Sequence, residues 1–368
     1  IKMKLNIALT KLPAYVPGKP IETLEREMGI VGAIKLASNE NPLGASPRAV
    51  AAMKAGLRGM TRYPDGNASL LKEALARKWN VKESQVIIGN GSDEVISLLT
   101  RALLLPGDEA IMANPSFVIY RLSVLACYAK PIEIPLKAGR HDLLRMAEAV
   151  TKKTRIIFIC NPNNPTGTIV NRLEVKRFLS SLSKEILVVF DEAYAEYVTD
   201  VDYPRSDLLL RSGRSEKGGA SVIFLRTFSK IYGLAGIRVG YGIGPENLAD
   251  LLNRLRLPFN VNLLGQQAAL AALSDEAHIK KSLTVNEEGK TYLYEQFNKM
   301  GISFFPTEAN FIYFNIAMKN KGSGSPFDQL LMKGVIVRHL GQDALRVTIG
   351  KMSENKRFIR ALSEVLAR

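Results

Sequence analysis

The rhythm of apolar and polar positions changes along the chain. From about residue 84, short apolar runs alternate with amphipathic segments, and the runs are easily recognised: "QVIIG", "DEAIMA", "KPIEIP", "RIIFIC", "ILVVF", "SVIFL" and "IRVGYGI". Between them, "DEVISLLTRALLL" puts Val95, Ile96, Leu99 and Leu103 on one helical face. Repeated strand and helix units of this kind predict a doubly wound α/β domain on a largely parallel sheet. After about residue 272 the texture shifts to a polar helical stretch, "DEAHIKKSLTVNEEGKTYLYEQFNKMG". The short strands "ISFFP", "NFIYFNI", "GVIVRHL" and "ALRVTIG" follow, then a final helix. That segment predicts a smaller α+β lobe. The N-terminal arm is rich in Pro and Gly at "LPAYVPGKP" and "SNENPLGASP", has no core of its own, and is expected to pack on another part of the protein or on a partner subunit. The predicted division is an arm at 1–37 that joins the small domain, a large domain at 38–272 and a small C-terminal domain at 273–368. "RSGRSEKGG", residues 211–219, reads as an exposed loop.

Composition narrows the class without deciding it. A chain of 368 residues and 40.6 kDa can bury a large core, and 46% hydrophobic with 23% charged residues is ordinary for a globular protein. No apolar run is long enough to span a bilayer, and no membrane partner is expected. The N-terminus lacks the apolar core and cleavage site of a secretory signal, and its start at a residue other than Met points to an engineered or processed end. Two cysteines, Cys127 and Cys160, are too few for a disulfide framework or zinc cluster, so a reducing cytoplasm is expected. The formal charge of +15 could suit nucleic acid, but the basic residues are spread along the chain, which favours phosphorylated small molecules instead.

The chemistry gathers at the ends of the apolar runs. His141, His278 and His339 have no companions at metal-ligand spacing, so no metal is expected. The near matches "GIGPEN" and "GNGSDE" lack the third glycine of a dinucleotide fingerprint. Four runs, however, end in polar residues where open α/β sheets collect ligands: "VIIG" in "NGSDE", "IIFIC" in "NPNNPTG", "LVVF" in Asp191-Glu192-Ala193-Tyr194, and "VIFL" in "RTFSK". Asp191 reads as a turn residue or as a buried carboxylate that needs a cationic partner. "NPNNPTG" is a turn in which Asn164 can also donate to a ligand. "GSDEV" reads as a helix start, with Ser92 and Asp93 capping free N–H groups that can equally hold a phosphate. Arg238, read as lying in a strand eight residues after Lys230, offers a planar fork for the same anion. Arg338 and Arg346 interrupt strands whose alternate residues are apolar, and so point toward solvent or an anionic substrate. Together these demand a phosphate, a cationic ring nitrogen, a ring hydroxyl and an aldehyde for Lys230, which pyridoxal 5'-phosphate satisfies.

The ordered set "SNENP", "RYPDGN", "GNGSDE", "NPNNPTG", "FDEAY", "TFSK" and "LRVTIG" resembles the fold-type-I pyridoxal-phosphate aminotransferases over nearly the whole chain. Within them it is most similar to the histidinol-phosphate aminotransferases, in "ASNENPLG", "RYPD" and "TFSKIYGLAGIRVGY". The resemblance implies that Lys230 carries the cofactor as a Schiff base and acts as general base. It implies that Asp191 pairs with the ring nitrogen while Asn164 and Tyr194 bond the ring hydroxyl. Gly91, Ser92, Asp93, Thr227, Ser229 and Arg238 would hold the phosphate, and Tyr63 would reach in from the other subunit of a homodimer. Phe117 would stack on the ring, where many relatives carry tyrosine. Arg346 and Arg338 would grip substrate, and Tyr15 would close over it. The implied reaction moves the amino group of L-histidinol phosphate to 2-oxoglutarate, giving imidazole acetol phosphate and glutamate, a step of histidine biosynthesis. Aromatic or broad-range aminotransferases and threonine-phosphate decarboxylases share these motifs and stay open as alternatives, as does a regulatory domain that senses the cofactor.

Overall fold

A computed structural model describes residues 18–204, 206, 220–316, 325–341 and 343–367. Tyr15 and the 211–219 stretch lie outside them. The first described segment is not left alone: the helix Ile21–Met28 buries Leu24 against Ala33, Ala37, Leu331 and Ile336. The short strand β1 (Ile34–Lys35) then pairs in parallel with a strand formed some 300 residues later, Val335–Ile336. The arm thus finds its core on the C-terminal part of the chain.

The predicted apolar runs form one seven-stranded sheet. Its strands are β2 (Val86–Gly89), β3 (Glu109–Asn114), β4 (Lys130–Pro135), β5 (Thr154–Cys160), β6 (Leu187–Asp191), β7 (Ser221–Thr227) and β8 (Gly240–Ile243), in the order β2-β8-β7-β6-β5-β3-β4. All pairings are parallel except those of β8, which runs antiparallel to both β2 and β7. β5 and β6 are almost wholly buried because helices cover both faces, which is why they read as unbroken apolar runs. The helix Ser92–Leu103 buries Val95, Ile96, Leu98 and Leu99, with Leu103 at the edge of the same cluster.

The later strands are shorter than their sequence suggests. β9 (Ser303–Phe304), β10 (Phe311–Asn315), β12 (Arg338–His339) and β13 (Ala344–Thr348) form an antiparallel sheet ordered β12-β13-β10-β9, while β11 (Val335–Ile336) pairs with β1. "GVIVRHL" therefore serves two sheets, breaking at Val337. Behind them pack the helices Glu276–Lys299 and Met352–Leu366, whose Leu293, Phe297, Phe358 and Leu362 fill a common core with Phe314 and Val347.

Two local expectations are corrected. "IRVGYGI" is not a strand throughout: β8 begins only at Gly240, and Arg238 lies in a left-handed turn with φ 60° after a short 3-10 helix. The turn, not strand alternation, aims its guanidinium. Nor does Ser92 or Asp93 cap the helix start. Gly91 occupies the cap with φ 81° and no side chain closes the end, leaving the first-turn N–H groups uncapped. The left-handed backbone at Gly91 favours glycine, and a side chain there would begin 2.4 Å from Arg238 Nη2 and push the guanidinium aside.

Candidate active site

The carboxyl ends of the strands and the four-stranded sheet enclose a cavity of about 380 Å³, a size suited to a small ligand. Ser92, Asp93, Phe117, Asn164, Asp191, Tyr194, Thr227, Ser229, Lys230, Arg238, Arg338 and Arg346 all line it. Gly91 stands just behind, against Arg238. Tyr63 does not enter this cavity; it is 81% exposed, its ring stacked on Phe259 at 4.5 Å.

Asp191 ends β6 beside Cys160 at the end of β5. Tyr120 donates to its Oδ2 at 2.6 Å and the Ala193 N–H to Oδ1 at 3.2 Å. Burial is the main force on this carboxyl and pushes it up to about 6 against those two bonds. Among the described residues no ion pair neutralises it. Burial also drives the Cys160 thiol and Tyr120 hydroxyl up, so both stay protonated at neutral pH.

Lys230 follows β7 and donates to the Ser38 carbonyl at 3.2 Å, its Nζ 5.7 Å from the centre of the Tyr194 ring. Desolvation, then the Arg346 charge, draws it down to about 8, so a sizeable neutral fraction is present near neutral pH. Around it run linked polar groups. Arg346 donates to Asn164 Oδ1 and, at 2.7 Å, to the Ala37 carbonyl. Asn164 Nδ2 lies 3.3 Å from the Tyr194 oxygen. Arg338 is the cross-strand partner of Arg346, so two guanidinium groups share one wall.

The opposite end combines the uncapped helix start with hydroxyls and a cation. Arg238 donates to Ser229 Oγ at 3.2 Å and approaches Asp93 at 3.5 Å, while Thr227 Oγ1 accepts from the Ser229 N–H at 3.1 Å. Strand β8 runs hard against this helix start: a Cβ at Gly240 would lie 2.2 Å from the Ser92 nitrogen. Free N–H groups with a half-exposed arginine suit a phosphate.

These groups fit pyridoxal phosphate. A buried carboxylate without a counter-ion suits a ring nitrogen that becomes cationic, the Phe117 ring offers a stacking face, Asn164 and Tyr194 offer donors to a ring oxygen, and Lys230 offers an amine. Sequence reasoning passed over Tyr120, Cys160, Ser38 and Asn39. Tyr120 carried a weak signal, in the first turn of the helix that Phe117 caps. Asn39 sat inside "SNENP" without a role.

A sequence profile described as "Aminotransferase class I and II" matches residues 31–362. The chain belongs to that family. It is 53% identical over 369 residues to the histidinol-phosphate aminotransferase of Moorella thermoacetica, covering 99% of this chain and 93% of that one. It is 48% identical over 364 residues to histidinol-phosphate aminotransferase 2 of Carboxydothermus hydrogenoformans, covering 98% of each. Among solved structures, the histidinol-phosphate aminotransferase of Sinorhizobium meliloti in complex with pyridoxal-5'-phosphate superposes with a TM-score of 0.89 at 25% identity, covering 99% of this chain and 98% of that one. The fold is that of the fold-type-I aminotransferases.

Proposed function

We propose that this chain transfers the amino group of L-histidinol phosphate to 2-oxoglutarate, giving imidazole acetol phosphate and glutamate, with pyridoxal 5'-phosphate held by Lys230. The observation that carries the reading is the near-full-length likeness to relatives named for that activity. The cavity supports it through a phosphate-type cup at one end and two arginines on the substrate wall. When bound, the cofactor supplies an aldehyde carbon for the amine and a ring that withdraws electrons from the amine's α-carbon.

The protein's own groups do the rest. Lys230 would anchor the cofactor through its amine and would take up or return the proton at the substrate Cα. Its lowered pKa suits that exchange. Asp191 holds the proton on the ring nitrogen, Asn164 and Tyr194 hold the ring oxygen, and Phe117 fixes the ring plane. Gly91, Ser92, Asp93, Thr227, Ser229 and Arg238 bind or shape the phosphate cup. Arg338 and Arg346 bind the substrate phosphate in one half-reaction and the carboxylates of glutamate and 2-oxoglutarate in the other. We further propose a homodimer in which Tyr63 enters the neighbouring site, since its exposed ring lies outside its own cavity. The reading takes the enzyme to work in the cytoplasm, in keeping with unpaired Cys127 and Cys160. We also propose that the chain divides at residues 37/38 and 272/273, with the arm tied to the small domain through β1 and β11.

The test feeds purified holoenzyme histidinol phosphate, phenylalanine or threonine phosphate and follows conversion of the lysine-bound absorbance to the amino form of the cofactor. Histidinol phosphate should convert with the highest kcat/KM. A much higher value with phenylalanine, or release of carbon dioxide from threonine phosphate, would overturn the substrate assignment. Lys230→Ala should abolish the lysine-bound absorbance.

A further inference from the structure

Asn39 sits in the "SNENP" turn with φ 57°, buried where the seven-stranded and four-stranded sheets meet. Its backbone N–H donates to Thr348 Oγ1 at 2.9 Å, and the Thr348 hydroxyl returns a bond to Asn39 Oδ1 at 3.3 Å. Asn310 Nδ2 donates to the Asn39 carbonyl at 3.0 Å. Because Oδ1 is taken by a hydroxyl donor, the amide nitrogen must face the other way, and it lies 2.9 Å from the Tyr194 oxygen. The orientation of Asn164 is fixed as firmly. Arg346 can only donate, so it claims Oδ1 and turns Nδ2 toward the same Tyr194 oxygen.

A phenol oxygen has two lone pairs and one proton. Two amide donors occupy both lone pairs, and among the described residues none accepts the Tyr194 proton. That proton is left for the cavity, which Tyr194 lines. We propose that Asn39 is a positioning residue: by donating to Tyr194 it obliges the Tyr194 hydroxyl to act as a donor to a ring oxygen of the bound cofactor. The inference rests on the pyridoxal-phosphate reading given above. It also ties the donor to the substrate wall, because Thr348, which orients the Asn39 amide, lies two residues beyond Arg346 on β13. A chain of bonds from Arg346 through Asn164, Tyr194 and Asn39 to Thr348 closes on one strand.

The consequence is electrostatic. When the link between Lys230 and the cofactor loses its proton, negative charge concentrates on the neighbouring ring oxygen, and a donor there stabilises the deprotonated form most. Holding Tyr194 as a donor therefore lowers the pH at which that link titrates. The titratable and charged groups around Tyr194 are Lys230, Asp191, Cys160, Tyr197 and Arg346, and all stay in place in the variants below.

Asn39→Gly keeps the left-handed turn and the backbone bond to Thr348 while removing the donor. Thr348→Val removes the turn's anchor while leaving the Asn39 side chain in reach of Tyr194. Absorbance titration of each holoenzyme reads the result directly. The expected outcome is a titration midpoint raised by about half a pH unit or more in Asn39→Gly and by clearly less in Thr348→Val. Equal shifts in both variants would mean that Asn39 only pins the loop, and an unmoved midpoint in Asn39→Gly would also overturn the proposal. A wild-type protein with no lysine-bound absorbance would overturn the cofactor reading, and the inference with it. A normal wild-type titration with unmoved variants would sink the inference alone.

Discussion

The two ends of the cavity handle charge in opposite ways. At the end proposed to meet the ring nitrogen, the Asp191 carboxyl is sealed behind a fully buried Tyr120 that stacks on Phe158 at 4.6 Å. At the end proposed to hold the phosphate, Arg238 and Asp93 are each more than two-fifths exposed and stand beside hydroxyls and the backbone N–H groups of an uncapped helix. A buried charge without a partner is costly, whereas partly hydrated charges are cheap to hold and weakly coupled to one another. The sealed end can therefore impose a protonation state on what binds there. The open end can only hold it. On the proposed function, electronic control and anchorage would thus be divided between two strand ends of one sheet.

The largest break comes from Asp191→Asn, which removes the carboxylate at the sealed end. With cofactor saturating, kcat should fall by roughly 10²- to 10⁴-fold, the range expected for loss of one partner of a buried ion pair. The cofactor-free protein should respond in the opposite direction. Folding raises the Asp191 pKa from 3.8 to about 6, so ionising this group costs stability, and the cost grows between those pH values and is full above pH 6. The Asp191→Asn substitution should accordingly stabilise the cofactor-free protein by about 3 kcal/mol above pH 6, and the gain should fade as pH falls toward 4. Urea unfolding at pH 4 and pH 7.5 measures it. The same gain at both would mean that the carboxylate is not held at a cost.

A smaller effect of a different kind is expected from Arg238→Ala. Loss of one hydrogen-bonded cation should weaken cofactor binding about ten- to a hundredfold. At saturating cofactor, kcat should change far less than in Asp191→Asn. Because the wild-type contact is partly hydrated, added salt should weaken binding more in the wild type than in the variant. Equilibrium dialysis of the cofactor at two ionic strengths, with kcat on the same samples, tests both statements. A kcat loss that matches Asp191→Asn would erase the division between the two ends.

The sealed end and the sheet were readable in the sequence for one reason: strands buried on both faces must be continuously apolar, and the polar residue that ends each run announces the rim. Asp191, Asn164 and Lys230 stood out that way. Arg238 was also found, but its reason was not, because a left-handed turn at a residue other than glycine leaves no local mark. The cap at Gly91 was misread since Ser and Asp at a helix start ordinarily cap it, and here the cap residue takes a left-handed backbone that favours glycine. Asn39 left no mark and Tyr120 only a faint one because their partners are remote, 309 residues away for the bond to Thr348 and 71 for the bond to Asp191. Short edge strands such as β11 and β12 were blurred into one, since alternation does not reveal that Val337 divides two sheets.

Tyr120 offers the finest test of the sealed end. Its hydroxyl donates to Asp191 Oδ2 while its ring packs in the core, so Tyr120→Phe keeps the stacking on Phe158 and deletes one bond. If the hydroxyl serves to hold Asp191 ionised and correctly turned toward the ring nitrogen, its loss should lower kcat by about three- to tenfold, with cofactor affinity little changed. That loss should depend on the carboxylate it serves. In the Asp191→Asn background the charge is already gone, and Tyr120→Phe should cost less than half as much on a logarithmic scale, because residues acting through one another are not additive. A full double-mutant cycle in kcat reads this coupling. If Tyr120→Phe costs the same in both backgrounds, the hydroxyl merely completes the packing, and the control exerted at the sealed end belongs to Asp191 and its burial alone.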